Sequence, residues 1–499
     1  MIFSILWACT GVSHPPPAGA ALASLSIAGA TLQPAFIASH DGFSVGAASL
    51  GATSAVTAVP EDPDAVVAVH LETLEGERID SGTELALTDG RKVVVQVTSA
   101  DGENTSTTEV IALPSDFPPI ELQVLGEQDA GWLYLANFEG FTNDNTYGRY
   151  AMVLDELGVP RWYRDTVAPA FDLRRQAGGE LTWVGLPPGG QDYVGVVNDT
   201  FGAFSHAVEL AESRPGLETD VHEFVLQEDG SGLLIGAWVE TTDLTPWGGP
   251  ASAPLLHQLV QEVTPSGELA FEWSTKGNVD LDTIPQIIVD AGTGAFEYSH
   301  INSVTVDPDD GAWVISLRLA HQVIKVAREA MTVAGADYAP GDIVWRLGGA
   351  DTDFTFVGDD RGLGLQGFYS QHTARPLGGD RILVFDNALW RENRGDLGNP
   401  DLVVDATGDA RMVEYQLDVA AGTATLVDSF ALPSAGAVAA GGSTQRLPAG
   451  GTLVGWGDKS KDGAQFPAAT EIDATGAVVM EMFLPTNVWS YRVFRFPRP

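Results

Sequence analysis

Short apolar strands separated by glycine-containing turns recur along the chain from about residue 120 onward. Each turn is followed by a run of alternating or continuous apolar residues, which is the pattern of a β-strand. Six segments have this form: 128–138, 176–185, 228–238, 309–318, 377–386 and 448–457. A second element, in which two apolar runs flank a glycine turn, follows each of them: 152–165, 194–210, 259–274, 323–349, 412–430 and 470–484.

Two hairpins per unit, repeated six times, predict a six-bladed β-propeller. Each four-stranded blade covers the face of its neighbour, and closure of the ring protects most strand edges. The segment 491–496, YRVFRF, is expected to complete the last or the first blade. A β-solenoid or sandwiches in series are the alternatives, and the uneven repeat spacing argues against the solenoid. Segments 239–258 and 275–299 are predicted to be loops at the propeller mouth.

The N-terminal part of the chain has a different pattern. Residues 22–113 contain alternating runs, such as 92–100 and 105–113, that are separated by Asp-Gly pairs. Alternation bounded by Asp-Gly turns is typical of antiparallel strands in a sandwich, and the order of the runs resembles the cadherin-like β-sandwich domain of bacterial surface proteins. We therefore expect an all-β chain, a six-bladed β-propeller with an N-terminal β-sandwich domain. Its parts would be a leader and tether (1–21), the sandwich (22–114) and the propeller (118–499).

The charge balance argues against a nucleic-acid partner. The 499 residues include 26 Lys+Arg and 67 Asp+Glu, for a formal net charge of −41. Such a chain repels phosphate backbones and anionic membrane surfaces, and no run of Lys and Arg offers a basic patch. A hydrophobic content of 44% is sufficient for a folded core. We predict no binding to nucleic acid.

The single cysteine, Cys9, ends a short apolar leader. Residues 1–9, MIFSILWAC, resemble a bacterial lipoprotein signal whose cysteine is lipidated after cleavage. No later apolar stretch is long enough to span a bilayer. We expect export to the periplasm or outer membrane, with a lipid on Cys9 as the only membrane contact; an ordinary buried cysteine is the alternative. A single cysteine also excludes a disulfide framework, a Cys-ligated zinc site and an iron–sulfur cluster.

Three histidines occupy equivalent positions in successive repeats. His222, His300 and His372 each stand near the start of a first strand. Because the innermost strand of every blade lines the central channel, these positions are expected to meet at one mouth. The second strand returns to the same face, which would bring Arg318 beside His300. Asn302 lies two residues after His300 and faces the same side of the strand.

The expected groups at the mouth favour an anion over a metal cation. In the sixth repeat, Ser443 or Thr444 takes the place of the histidine. The mouth would then hold three imidazoles, a guanidinium, an amide and a hydroxyl, and it would require no carboxylate. Three histidines can also form a catalytic zinc site, but the charge of Arg318 opposes a nearby metal ion. The other propeller histidines are expected to be packing or solvated residues: His206, His257 and His321.

From about residue 215 onward, the chain resembles the bacterial arylsulfate sulfotransferases. The matching segments are DVHEF at 220–224, HIN at 300–302, SLR at 316–318, GDIVWRLGG at 341–349, FYSQH at 368–372, ILVFDN at 382–387, MVEYQLD at 412–418 and YR at 491–492. Enzymes of this family are six-bladed propellers that move a sulfuryl group between phenols without a nucleotide donor. The resemblance implies a phenolic sulfate donor, a phenol acceptor, ping-pong kinetics, and neither a cofactor nor a metal.

Residue by residue, the resemblance makes His372 the nucleophile that becomes transiently sulfated. It places His222, His300 and Arg318 around the sulfuryl oxygens, and Asn302 and Thr444 as further substrate contacts. The chain departs from the family in two respects: a disulfide near the site needs two cysteines, and the loops that select the phenol are not recognisable. The natural donor and acceptor therefore stay open, as does the formation of a homodimer.

Two other functions are compatible with these patterns. One is a non-catalytic, surface-anchored propeller that binds a ligand, since six-bladed propellers have many functions. The other is a metal-dependent hydrolase that uses the same histidines. A chelator should inhibit the metal-dependent hydrolase but not the transferase. A binding module should turn over no aryl sulfate.

Overall fold

In the computed structural model, the regular secondary structure of the chain consists almost entirely of β-strands. The described residues are 15–46, 53–88, 90–139, 145–166, 168–186, 193–197, 204–206, 209–290, 292–360, 366–392, 397, 403–433, 436–458 and 466–498. Within them the only helices are two short 3-10 turns, Thr245–Trp247 and Leu281–Thr283, so the all-β prediction is confirmed. Nothing helical in these ranges has the length and apolar character needed to cross a membrane. Cys9 lies outside the described residues.

The N-terminal domain consists of two sheets that share one apolar core. The first has the strand order β1 (Leu22–Ile27), β3 (Ser54–Pro60) and β6 (Glu84–Leu85). The second has the order β2 (Gly42–Gly46), β8 (Thr105–Leu113), β7 (Lys92–Thr98), β4 (Val66–Leu71) and β5 (Arg78–Ile79). The expectation of antiparallel strands is wrong for one pair, because β2 runs parallel to β8. The long connection between these two strands permits the parallel arrangement.

Six further sheets each contain a meander of four antiparallel strands. In order from the inner strand, the first three are β40 (Val493–Phe496), β10 (Trp132–Ala136), β11 (Tyr150–Leu154) and β12 (Pro160–Asp165); β13 (Ala170–Arg175), β14 (Leu181–Gly185), β15 (Tyr193–Val197) and β16 (Phe204–His206); and β17 (Glu218–Leu226), β18 (Gly232–Thr242), β19 (Ala253–Val263) and β20 (Leu269–Ser274).

The last three sheets follow the same order from the inner strand. They are β23 (Ile301–Val306), β24 (Trp313–Leu317), β25 (Gln322–Val326) and β28 (Ile343–Gly348); β30 (His372–Gly378), β31 (Arg381–Asp386), β34 (Arg411–Asp418) and β35 (Thr423–Ala431); and β36 (Ser443–Arg446), β37 (Thr452–Gly455), β38 (Ala469–Ile472) and β39 (Val478–Phe483). β9 (Glu121–Val124) adds an outer fifth strand to the sixth sheet.

The inner strands of these six sheets contact one another around a closed ring, which makes this part of the chain a propeller. β13 contacts β17, and the contacts continue through β23, β30 and β36 to β40, which returns to β13. As expected for 491–496, β40 completes the first sheet, where Tyr134 pairs with Phe494. Large aromatic side chains fill the spaces between sheets, and Trp183, Trp313 and Trp456 are almost entirely buried. Burial of each such side chain stabilises the fold by about 4 kcal/mol.

The two segments predicted as mouth loops contain regular structure, so that prediction is wrong in part. Segment 239–258 extends β18 and β19 into a long hairpin whose last pair is Thr242 and Ala253. The apolar positions Val239 and Leu255 continue the strand pattern there. Segment 275–299 contributes β21 (Ile288–Val289) and β22 (Phe296–Glu297), and β22 pairs in parallel with β19. The other short strands are β26 (Met331–Val333), β27 (Ala336–Tyr338), β29 (Thr355–Val357), β32 (Leu389–Glu392) and β33 (Val403–Ala406).

Charged residues join the sandwich to the first propeller sheet. Asp41 accepts hydrogen bonds from Arg161 at 2.8 Å and from Arg498 at 2.7 Å. Nε2 of His40 lies 3.2 Å from a carboxylate oxygen of Asp155. His40 is buried and is therefore a packing residue of the interface between the domains.

Candidate active site

The three predicted histidines lie on the inner strands of the third, fourth and fifth sheets. His222 is inside β17, His300 directly precedes β23, and His372 begins β30. A register shift interrupts each of these strands beside the histidine. The φ angle of His300 is 52°, in the left-handed region. Such bulges redirect side chains next to functional sites, and here they align histidines that stand at different points of their strands.

The structure brings the three imidazoles into one cluster. The ring centroids of His222 and His300 are 4.6 Å apart. The ring of Tyr491 lies 5.9 Å from that of His222 and 6.0 Å from that of His372. Tyr491 belongs to the closing segment YR, and the sequence analysis gave it no role.

Arg318 lies beside His300, as predicted. The backbone N–H of Arg318 donates to the carbonyl oxygen of His300 at 3.1 Å, and its Nη2 donates to the carbonyl of Ala439 at 3.1 Å. Burial, and then the charge of Arg318, hold the pKa of His372 well below its usual range. Burial, His222 and Arg318 do the same for His300. His372 is therefore neutral near pH 7, and one of its ring nitrogens is unprotonated.

The hydrogen bonds of His372 identify that nitrogen as Nε2. Nδ1 lies 2.8 Å from Oδ1 of Asn387, an atom that can only accept. Nδ2 of Asn387 donates to the carbonyls of Val438 at 3.2 Å and Gly441 at 2.9 Å, which fixes the orientation of the amide. Nε2 accepts from the N–H of Gly441 at 3.3 Å. The proton of His372 is thus on Nδ1, and Nε2 carries the electron pair.

Two carboxylates contact the other two histidines, so the expectation that the mouth needs no carboxylate is wrong. Oδ1 of Asp220 lies 2.5 Å from Nδ1 of His222, and Oε1 of Glu297 lies 3.0 Å from Nδ1 of His300. Burial raises the pKa of Asp220, but the charge of His222 and the hydrogen bond from it lower the pKa further, so the net shift is downward. Burial, together with Asp220, raises the pKa of Glu297 to about 8.

The raised pKa of Glu297 predicts a pH-dependent stability. Because the folded state holds the proton more tightly than the unfolded chain, the stabilisation is complete below the usual value of 4.5 and is lost as the pH rises through about 8. A glutamine cannot ionise, so Glu297→Gln should not show this loss of stability. Between pH 5 and pH 8.5, in the range set by the shift, the free energy of unfolding should fall by roughly 2–4 kcal/mol more in wild type than in Glu297→Gln. Urea titrations measure this difference, and equal slopes in the two proteins would contradict the prediction.

Asn302 and Thr444, the two predicted auxiliary residues, have different surroundings. Nδ2 of Asn302 donates to the carbonyl of Gln371 at 2.7 Å, so this side chain holds the backbone directly before His372. Oγ1 of Thr444 is buried and has no hydrogen-bond partner among the described residues. Oγ of Ser443, the alternative residue, donates to the carbonyl of Val493 and accepts from its N–H, both at 3.0 Å.

The other described histidines of the propeller are packing residues, as predicted. Nδ1 of His257 lies 2.9 Å from the hydroxyl of Tyr298, and burial lowers the pKa of His257 to about 4. Nδ1 of His321 accepts from the N–H of Ser370 at 2.9 Å. The side chain of His206 lies outside the described residues. Among the residues that the structure does describe, no three histidine, cysteine or acidic side chains are placed to share a metal ion.

A buried network of ionised side chains adjoins the cluster along the same inner strands. Glu223 forms ion pairs with Arg174 at 2.5 Å, Arg375 at 2.6 Å and Arg492 at 3.4 Å. Asp172 forms ion pairs with Arg174 and Arg492, both at 2.6 Å. Burial raises the pKa of Glu223, but the three arginines lower it further, to about 2. The network links four of the six sheets through their inner strands.

The fold and the site define a propeller with a histidine cluster, an arginine and a buried tyrosine at its channel. Residues 203–484 match the model of the arylsulfotransferase (ASST) family, and the chain belongs to this family. The family resemblance read from the sequence is thereby confirmed. No curated protein matches the chain.

Several solved structures are similar to the chain at low identity. TolB from Acinetobacter baumannii has a TM-score of 0.38 at 10% identity, with 86% of this chain and 84% of that chain covered. An auxiliary nutrient binding protein from Bacteroides ovatus has a TM-score of 0.32 at 10% identity, with 86% and 82% covered. An apocarotenoid oxygenase mutant from Synechocystis has a TM-score of 0.31 at 12% identity, with 84% and 78% covered.

Proposed function

We propose that the chain transfers a sulfuryl group from a phenolic sulfate ester to a phenol through a sulfated His372. Membership of the arylsulfotransferase family indicates sulfotransferase activity in general. The observation that supports the specific route is the state of His372: a buried, neutral imidazole whose proton is held on Nδ1 by Asn387. Such an imidazole is a nucleophile with one defined attacking atom, Nε2.

In the first step, Nε2 of His372 attacks the sulfur of the donor. The N–S bond forms as the bond between sulfur and the phenolic oxygen breaks, and the phenolate leaves. During this step the sulfuryl oxygens carry negative charge and further charge develops on the departing phenolic oxygen, and fixed donors that face these oxygens supply most of the acceleration. Arg318 is suited to this role because its guanidinium stays protonated and presents a planar set of N–H donors.

The departing phenolate needs a proton, and the site contains groups that can deliver it. His222 and His300 are the candidate general acids, and each has a carboxyl group at its Nδ1. Burial raises the pKa of Glu297 to about 8, so this carboxyl holds a proton at neutral pH. Because its lowered pKa leaves His300 neutral near pH 7, the two proton transfers are coupled: Glu297 gives its proton to Nδ1 of His300 as the proton on Nε2 passes to the phenolate.

In the second step, the acceptor phenol reacts by the reverse of the first step. Its oxygen attacks the sulfur, the N–S bond to His372 breaks, and the phenolic proton passes to the group that acted as the acid. Two displacements at one site give ping-pong kinetics. From the resemblance of residues 1–9 to a lipoprotein signal, we propose in addition that the enzyme works outside the cytoplasm on a lipid anchor.

Hydrolysis and transfer are distinguished by assaying the purified chain with 4-nitrophenyl sulfate, with and without phenol, in the presence of EDTA. We expect release of 4-nitrophenolate that depends on phenol, survives EDTA and gives parallel double-reciprocal plots. Loss of release in EDTA would favour the metal-dependent hydrolase. Absence of release with a panel of phenols would favour the non-catalytic binding module.

A further inference from the structure

One buried glutamine is hydrogen-bonded to the immediate neighbours of both candidate general acids. Gln258 lies on β19, the third strand of the third sheet, and is fully buried. Its side-chain amide contacts Asp220, which holds His222, and the two residues on either side of His300. A single side chain therefore connects the two histidines that can deliver a proton.

The surrounding groups fix the orientation of the Gln258 amide. Oε1 accepts from the backbone N–H of Ile301 at 2.6 Å and from Oγ of Ser299 at 2.8 Å. A backbone N–H can only donate, so the amide atom that faces it is the carbonyl oxygen. Nε2 then faces Oδ2 of Asp220 at 3.2 Å and donates to it. All three bonds follow from one orientation of the side chain.

Asp220 is bonded at both of its carboxylate oxygens. Oδ2 accepts from Gln258, while Oδ1 accepts from the backbone N–H of His222 at 3.0 Å and lies 2.5 Å from Nδ1 of its ring. Burial raises the pKa of Asp220, but His222 lowers it further, so the carboxylate is ionised near pH 7 and Nδ1 is the donor. The ladder between β17 and β18 is interrupted from Thr219 to Phe224, a stretch that includes both residues. The direction of His222 therefore depends on the contacts of Asp220.

His300 is held from both sides by the same amide. Its φ angle of 52° lies in the left-handed region, which a residue with a side chain adopts only where its surroundings hold it there. Ser299 and Ile301, its two neighbours in the chain, both donate to Oε1 of Gln258. These bonds stabilise the turn that directs the ring of His300 toward that of His222, at 4.6 Å between centroids.

We propose that Gln258 is a positioning residue that sets His222 and His300 in one relative arrangement for delivery of a proton to the departing phenolate. The proposal rests on the proposed function, in which these histidines are the candidate acids. Gln258 acts on the first through Asp220 and on the second through the backbone. An apolar side chain at position 258 would leave the N–H of Ile301 buried without its acceptor, which is costly enough to shift this turn.

Gln261 offers a matched control, three residues further along β19. It is also fully buried. Its Oε1 accepts from the backbone N–H of Ala211 at 2.9 Å, and its Nε2 donates to the carboxylate of Glu272 at 2.9 Å. The two glutamines thus make the same kinds of bond, but those of Gln261 are directed at the outer part of the sheet. Gln258→Leu and Gln261→Leu remove comparable bonds in different places.

Hydrogen exchange of the full chain, followed by mass spectrometry of its peptides, tests the positioning without any turnover. In Gln258→Leu the N–H of Ile301 loses its acceptor, so the peptide that contains 299–301 should exchange about tenfold faster than in wild type. In Gln261→Leu the faster exchange should fall at Ala211 instead. An unchanged rate at 299–301 in Gln258→Leu would overturn the proposal.

Two donors with different leaving groups test the consequence for catalysis. Phenolate is more basic than 4-nitrophenolate, so sulfuryl transfer from phenyl sulfate depends more strongly on a delivered proton. With 2-naphthol as the common acceptor, Gln258→Leu should lower kcat/KM for phenyl sulfate by about tenfold more than kcat/KM for 4-nitrophenyl sulfate. Gln261→Leu should lower neither. An equal loss with both donors would indicate a general loss of structure and would overturn the proposal.

The two measurements separate this proposal from the proposed function. If wild type transfers sulfate from neither donor, the proposed function fails, and hydrogen exchange alone decides whether Gln258 holds the two histidines. If Gln258→Leu does not fold, the unbranched Gln258→Met, with its melting temperature as the check on folding, should give the same two results.

Discussion

His372→Asn is expected to abolish sulfuryl transfer, with a loss in kcat of at least about 10³-fold from 4-nitrophenyl sulfate to phenol. An amide cannot form the N–S bond, and no other imidazole in the cluster has its proton fixed by an amide as His372 does. Nitrophenolate release measured with phenol in excess gives the rate. Mass spectrometry of wild type quenched after mixing with donor alone should find one added sulfuryl group on the peptide that contains His372.

Two companion variants make this prediction sharper. His70→Asn changes a histidine of the sandwich, at strand β4, and should keep the wild-type rate. Asn387→Leu removes the acceptor that holds the proton on Nδ1 of His372 and should lower kcat by about 10- to 100-fold, because the nucleophile then spends time as the wrong tautomer. A sulfated residue elsewhere, or full activity of His372→Asn, would refute the assignment of the nucleophile.

Glu223→Gln is expected to have the largest effect on stability. In wild type, Glu223 and Asp172 compensate Arg174, Arg375 and Arg492, and the side chain of Glu223 is fully buried. The variant leaves three guanidinium groups, of which that of Arg492 is fully buried, with one carboxylate. Removing one partner of a buried ionic network destabilises a protein by about 3–5 kcal/mol, and we expect a loss of this size in the free energy of unfolding.

Denaturant unfolding of three further variants distinguishes this effect from a loss of packing. Glu240→Gln breaks the exposed pair with Lys276 and should lower the free energy of unfolding by less than about 1 kcal/mol. Adding Arg375→Met to Glu223→Gln restores the charge balance and should recover part of the loss. The measurement to compare is the further loss of stability when Arg375→Met is added to Glu223→Gln. If that loss equals the loss that Arg375→Met alone causes in wild type, charge balance is not the cause.

Much of the fold could be predicted because a propeller repeats its local pattern. Apart from the closing strand β40, the four meander strands of each propeller sheet are neighbours in sequence, so turns and apolar runs were sufficient to locate them. The same regularity placed Arg318 beside His300, since a second strand must return to the face where the first began. The parallel pairs β2 with β8, β19 with β22 and β29 with β35 were missed, because each joins distant parts of the chain that no local pattern connects.

The site residues that were missed differ in whether the sequence contained a signal for them. Asn387 directly follows β31, just as Arg318 directly follows β24, so the reasoning that found Arg318 would also have found Asn387. Asp220 stands two residues before His222 and shares its face of the strand. Glu297 gave no such signal, since it reaches His300 only through β22, in a segment that looked like a loop.

The pairing of β10 with β40 has a consequence for synthesis of the protein. Trp132 and Phe496 are partners in the first sheet, although 364 residues of translation separate them. At about 5–20 residues per second, the ribosome needs on the order of 20–70 s to deliver the missing strand. During that time β10, whose five residues are all buried in the finished fold, is an unpaired apolar edge on the nascent chain. Newly made molecules should therefore depend on a chaperone that covers this edge until the last strand arrives.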